Sequence, residues 1–273
     1  MFLRSYALAI YLFLYGPIAL VVLFSFNAGE HAASFACCST EWYGTAFGNP
    51  FLVDALKNSL FIGFISAALS SLMGTMAALG LQRVRGPLRV IYDAVIYVAI
   101  MIPGVVIGVA TLIAFVSAFD VLNPPLQALW PWGADSAPQL RLGYPAVIAA
   151  HTMWTMGLVI VIVRARLKGM RRTLIEASSD LYASPWRTFV NITLPQLSPA
   201  IVAGFLLSFV FSFDEFIMAF FIAGPDTTLP VYIYSSIRRG ITPETNAVAS
   251  VVLIASFVLL FAAQMILRRS QRN

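Results

Sequence analysis

Charged residues are scarce in this chain of 273 residues: Asp, Glu, Lys and Arg together make up 11%, against about 25% in an average soluble domain. With 60% of residues hydrophobic, so little charge excludes a water-soluble globule. It equally excludes a disordered chain, which combines low hydrophobicity with high charge. Cysteine is nearly absent. Cys37 and Cys38 are the whole complement and they are adjacent, which excludes a secreted disulfide scaffold; a bond between neighbours would be strained, so free thiols or a packing role close to the lipid are expected. The two histidines, His31 and His151, cannot assemble a metal site at ligand spacing, and His151 is expected to pack between helices or face water. Neither of the two lysines, Lys57 and Lys168, follows a glycine, so the chain has no P-loop and cannot hydrolyse nucleotide by that route. The class that remains is an integral membrane protein.

Six charge-poor runs have the length of about 20 residues that crosses a bilayer core. They cover roughly 8–26, 60–81, 95–119, 144–163, 200–222 and 247–267. The first is longer than the roughly 7 to 15 residues of a signal-peptide core and reads as a retained helix. Gly63, Ser66, Ser70, Ser71, Gly74 and Ala78 in the second run, and Gly104 and Gly108 in the third, are small residues that let helix backbones approach closely.

Thirteen of the 17 basic residues fall in alternate connections: Arg4; Arg83, Arg85, Arg89; Arg164, Arg166, Lys168, Arg171, Arg172, Arg187; and Arg268, Arg269, Arg272. By the positive-inside rule these lie in the cytoplasm, with both termini. The other connections carry Lys57, Arg141, Arg238 and Arg239 with the acids Glu30, Glu41, Asp54, Asp120, Asp135, Asp226 and Glu244. One of them, from Asn123, Pro124 and Pro125 to Pro138, reads as turn-rich. The basic excess is a topology signal, and no nucleic-acid partner is implied.

The inner connection at 164–199 is too long for a plain link between helices. Thr173 and Glu176 fit a capping box that starts a short helix. Ser184 and Pro185 supply an N-cap and an N1 proline for a second helix running to about Thr193, where Pro195 is expected to stop it. Its surplus of apolar residues predicts a face docked in a partner. Glu176-Ala177-Ser178, then Tyr182, then Ile192-Thr193-Leu194-Pro195 resembles the EAA loop of ABC-importer permeases, in which Glu-Ala-Ala is followed after three residues by Gly and after nine more by Ile-x-Leu-Pro. Two positions depart: Ser178 replaces the second Ala and Tyr182 the Gly. The resemblance implies an all-α fold of the type I importer permease class with six transmembrane helices, in which Glu176, Ala177, Ser178, Asp180, Leu181, Tyr182, Ala183, Ile192, Leu194 and Pro195 couple the chain to an ATPase dimer that binds ATP and Mg; no cofactor is expected in this chain.

Asp214 and Glu215 fall near the middle of the fifth run, where a charge costs about 2.5–3.5 kcal/mol on insertion scales. The six runs hold no basic residue to neutralise them, so a cationic substrate is a natural counter-charge. A carboxylate capping an unwound turn, or protonated in a helix interface, stays open beside that reading. Ser212-Phe213-Asp214-Glu215-Phe216, Gly224-Pro225, Leu229-Pro230-Val231-Tyr232-Ile233-Tyr234-Ser235 and Gly240-Ile241-Thr242-Pro243-Glu244-Thr245-Asn246-Ala247 resemble the spermidine/putrescine branch of the same permeases. That implies polyamine import, a substrate path including Asp214, Glu215, Tyr232 and Tyr234, a second permease subunit, an extracytoplasmic binding protein and a bacterial inner membrane location. Some members of the branch carry opines or other small organic solutes. A secondary transporter or channel is the rival class; a membrane enzyme is disfavoured by the absence of a His, Asp or Glu cluster. The expected division is 1–55 for the first helix and outer loop, 56–267 for a permease core with the loop at 173–195, and 268–273 for a cytoplasmic tail.

Overall fold

The computed structural model describes residues 2–29, 35–131, 133, 136–240 and 242–272. Glu30, His31, Asp135 and Ile241, and the side chains of Arg172, Arg268, Arg269 and Arg272, lie outside the described residues. In chain order the helices are α1 (Phe2–Phe24), α2 (Glu41–Gly48), α3 (Pro50–Leu81), α4 (Pro87–Met101), α5 (Gly104–Ala128), α6 (Tyr144–Lys168), α7 (Arg172–Asp180), α8 (Pro185–Thr188), a π turn (Phe189–Thr193), α9 (Leu194–Phe213), α10 (Ile217–Ile222), α11 (Leu229–Arg239) and α12 (Pro243–Arg272). There is no strand among the described residues, and the fold is all-α. Five stretches are long and apolar enough to cross a membrane: α1 from Arg4, α3, α5, α6 and the continuous Pro185–Phe213. Helix α12 is apolar over Pro243–Val258 and stays helical through the sixth run.

Backbone chemistry accounts for where the helices differ from the apolar runs. The third run is not one helix. Pro103 supplies no N–H and forces its predecessor out of the helical region, so Ile102 turns to ψ 133° and ends α4, and α5 begins at Gly104. Conversely, the expected turn at Pro124 and Pro125 is helical, because α5 runs through both to Ala128. Nor does Pro195 stop a helix: α8, the π turn and α9 are contiguous. The wide register, with Leu194 N–H donating to the Phe189 carbonyl, sits where Pro195 would otherwise need an N–H and crowd the carbonyl four residues back.

Two compact units divide the chain, one of Met1–Asn58 and Thr228–Val258, the other of Ser59–Thr227 and Leu259–Asn273. In the first, Asn27 organises the connection between α1 and α2: its Oδ1 accepts from Ala36 N at 2.7 Å and its carbonyl from Trp42 Nε1 at 2.8 Å. Cys37 and Cys38 are disulfide-bonded there, not free as their adjacency suggested.

In the second unit the small residues do what their spacing predicts. Ser66, Ser70 and Ala78 are fully buried, and Gly74 lets α3 reach Val159 of α6. Gly104 and Gly108 meet Ile217 and Phe221 of α10 in the same way. Two apolar clusters fill the unit, one around Ile62, Val147, Met218 and Ile222, the other around Ala78, Val159, Val163 and Leu197.

Candidate functional site

Two places in the second unit carry the chemistry, and the first is the connection between α6 and α9. Helix α7 starts at Arg172, so Thr173 lies inside it and no side chain caps it; the Thr173–Glu176 box does not form. The Ser184 cap does, its Oγ accepting from Arg187 N at 3.4 Å. Helix α7 ends in a Schellman motif, with Ala183 N–H on the Ser178 carbonyl and Tyr182 N–H on that of Ser179. The motif needs a left-handed residue after the cap, and Tyr182 occupies that position at φ 58°. A glycine there would relieve the Cβ crowding that tyrosine accepts. The second departure has its own partner: Ser178 is buried and its Oγ lies 2.8 Å from Thr188 Oγ1, tying α7 to α8.

This arrangement leaves an apolar, outward-facing rim. Leu181 is 82% exposed, Trp186 72% and Tyr182 97%; Ala177 and Asp180 are exposed as well, whereas Ala183 and Ile192 are half-buried. Leu194 and Pro195 open α9 and are exposed. Glu176 faces a cleft of about 660 Å³ lined also by Arg83, Arg89, Arg164 and Lys168. Behind it Asp93 bonds to Arg164 Nη1 at 2.5 Å and lies 4.0 Å from Arg89 Nε. The Arg164 hydrogen bond holds the Asp93 carboxyl below its usual range against the opposing effect of burial.

The second place is a break in the fifth apolar run. Helix α9 ends at Phe213, α10 starts at Ile217, and Asp214–Phe216 between them is not helical. Such a break inside a membrane protein requires new partners for the freed amides. Glu215 supplies them. Its carboxylate accepts from Ile217 N at 3.1 Å, Met218 N at 2.7 Å and Ala219 N at 3.3 Å. His151 of α6 is buried beside it, with Nε2 3.7 Å from Glu215 Oε2 and Nδ1 2.7 Å from Ser212 Oγ. A polar seam continues inward: Thr155 Oγ1 donates to the His151 carbonyl, and Ser70 Oγ to the Thr152 carbonyl. Sequence reasoning left His151 unattached to the acids, since the partners lie 61 positions apart in the case of Ser212 and no local pattern joins them.

Asp214 is different. It is exposed, its backbone N–H bonds the Val210 carbonyl, and among the described residues its carboxylate has no hydrogen bond or ion pair. Of two adjacent acids, one is spent on the backbone and one is available. Tyr232 and Tyr234 lie on α11 in the first unit; Tyr232 Oη accepts from Asn49 Nδ2 at 3.0 Å, and Tyr234 is exposed. Among the described residues no three His, Cys, Asp or Glu side chains group as a metal site would require.

Residues 70–273 match the family described as "Binding-protein-dependent transport system inner membrane component". The putrescine transport system permease protein PotI of Escherichia coli K12 is 33% identical over 265 residues, covering 96% of this chain and 89% of that one. The spermidine/putrescine transport system permease protein PotC of Haemophilus influenzae is 31% identical over 271 residues, covering 98% of each. Among solved structures, a bacterial ABC transporter that imports the acidic polysaccharide alginate superposes with TM-score 0.70 at 18% identity, over 99% of this chain and 94% of that one. The MetNI methionine transporter in an inward-facing form gives 0.60 at 19% identity, over 80% and 95%.

Proposed function

Because the chain belongs to the family of binding-protein-dependent transport system inner membrane components, we propose that it is the translocation subunit of an importer for polyamines, with Asp214 on the path of the amine. The observation that carries this is a free carboxylate at a break in a spanning helix. A charge at such depth is costly unless it meets a cavity or a partner. Asp214 has no counter-ion among the described residues, so an alkylammonium substrate completes it. Relatives named for putrescine and spermidine over nearly the full length support the same substrate class.

The rest of the assembly follows from the family. The chain does no chemistry on its substrate; an ATPase dimer binds ATP and Mg, a second permease completes the pathway, and an extracytoplasmic binding protein delivers the solute. The termini and the 173–195 loop face the cytoplasm, as the basic residues indicate. Glu176 and the exposed Leu181, Tyr182 and Trp186 are then the surface the ATPase meets. Closure of that dimer moves the permease pair between inward- and outward-facing states.

Asp214→Asn keeps the side-chain volume and removes the charge. In the reconstituted complex, putrescine uptake by this variant should fall at least tenfold while substrate-independent ATP hydrolysis and the unfolding temperature persist. Uptake at the unmodified rate would remove Asp214 from the path.

A further inference from the structure

In the first unit, where α3 and α12 begin, a cavity of about 260 Å³ opens beside α11. Asn49, Tyr232, Thr242 and Glu244 give it a polar wall, over an apolar floor that includes Leu52 and Val248. One amide organises this wall. Asn49 Oδ1 accepts from Phe51 N at 3.1 Å, which fixes how the amide is turned. Its Nδ2 therefore faces the cavity and donates both to Tyr232 Oη at 3.0 Å and to Glu244 Oε1 at 3.1 Å.

Those bonds leave most of the acceptor capacity unspent. A carboxylate has about four acceptor positions, and among the described residues Glu244 uses one. Arg239 lines the same cavity, yet its Nη2 turns to Ser236 Oγ at 3.2 Å, and among the described residues it forms no ion pair with Glu244. The Glu244 carboxylate thus shares the cavity with a phenol oxygen and a threonine hydroxyl, and among the described residues no ion pair joins it to Arg239. An ammonium group is a compact charge with three donors and no acceptor. It matches a cavity lined by a carboxylate, a phenol and a hydroxyl, the first two held on one amide nitrogen, whereas an anion would meet the carboxylate directly.

We propose that this cavity binds the primary ammonium end of an alkylamine, as an entry subsite separate from Asp214. Glu244 supplies the charge, Tyr232 and Thr242 the remaining acceptors, and Asn49 the positioning. Arg239 limits the cavity to one cationic end. That the amine is the transported solute rests on the polyamine reading above; the site's preference for an ammonium group does not.

The test uses the assembled complex in nanodiscs without the binding protein, and two probes, labelled butylamine and labelled putrescine. Glu244→Gln retains the oxygen that Asn49 contacts and removes the charge. It should weaken binding of both probes at least tenfold with the unfolding temperature unchanged. Asn49→Ala keeps the charge and loses the positioning, so its loss should be smaller, about threefold. Binding of both probes unaltered by Glu244→Gln overturns the proposal and leaves the Asn49 network as a structural tie. Absence of free-amine binding, with docking of the binding protein weakened instead, also overturns the entry subsite and assigns the ammonium group to that protein. A complex that binds butylamine through Glu244 but imports no putrescine keeps this inference and fails the polyamine reading. One that imports putrescine with amine binding indifferent to Glu244 does the reverse.

Discussion

Tyr182 holds a backbone conformation that costs an L-residue about 1–2 kcal/mol, and its ring is almost wholly exposed, so packing among the described residues does not offset the cost. Glycine removes the crowding but brings about 0.4–1 kcal/mol of extra chain entropy in the unfolded state. The difference favours Tyr182→Gly by up to about 1.6 kcal/mol, whereas the β-branched Tyr182→Val should destabilise the protein by about 1 kcal/mol. Thermal unfolding in detergent should rank them Gly, Tyr, Val; equal midpoints for Gly and Val would mean that α7 does not end in this motif. Glu215 sits at the opposite extreme, with the first three amides of α10 satisfied by one carboxylate. Hydrogen bonds to a charged acceptor contribute about 1.5–3 kcal/mol, and glutamine keeps one oxygen of the two. Glu215→Gln should therefore cost about 1–2 kcal/mol and lower the unfolding temperature, which Asp214→Asn should not. If the two substitutions exchange these effects, the roles of the two acids are reversed.

Val159 of α6 is approached from two sides by glycines, and the separations differ enough to decide opposite outcomes. A Cβ on Gly74 of α3 would stand 2.8 Å from Val159 Cβ and 3.2 Å from the Met156 carbonyl, neither of which can swing aside. Overpacking of that kind costs about 1–3 kcal/mol, more than the roughly 1 kcal/mol that alanine gains over glycine in a helix. On Gly204 of α9 the same atom would meet Val159 at 3.4 Å, an ordinary contact. Gly74→Ala should destabilise and Gly204→Ala should be neutral or stabilising, read as unfolding midpoints of the purified subunit; a neutral Gly74→Ala would mean that α3 and α6 lie farther apart. The small residues that permit such contacts were legible in the sequence, as was the Ser184–Pro185 helix start. The ends of helices were less so, because an apolar count registers composition and not amides: Ile102–Pro103 and Asp214–Phe216 interrupt runs that are apolar throughout or nearly so. Thr173 and Glu176 have the spacing of a capping box, but α7 begins two residues early and the box has no helix end to cap.

For the molecule as a whole, the alternation of basic residues assigns sides that the helices themselves do not. A reporter fused at Ser179 should read cytoplasmic and one at Ser136 external; either result inverted would overturn the orientation. The class of protein and its loop motif were readable because they depend on hydrophobic length and on residues close in sequence. The link between His151 and Glu215, the free state of Asp214 and the cavity at Asn49 depend on residues that only folding brings together. One feature of that folding joins the two candidate places. From Pro185 to Phe213 the backbone is helical without a loop, 29 residues spanning roughly 43 Å. It starts in the EAA-like connection and ends at the residue before Asp214. A rod of this kind transmits thrust and torque, where a loop would absorb both. Its compliant joints are the π turn at Phe189–Thr193, close to the α8 end, and Pro199 at its midpoint, which removes one ladder hydrogen bond. Displacement of α8 by a docked partner would therefore be delivered at the far tip, shifting the Asp214 carboxylate on the end of a lever rather than through a relay of side chains.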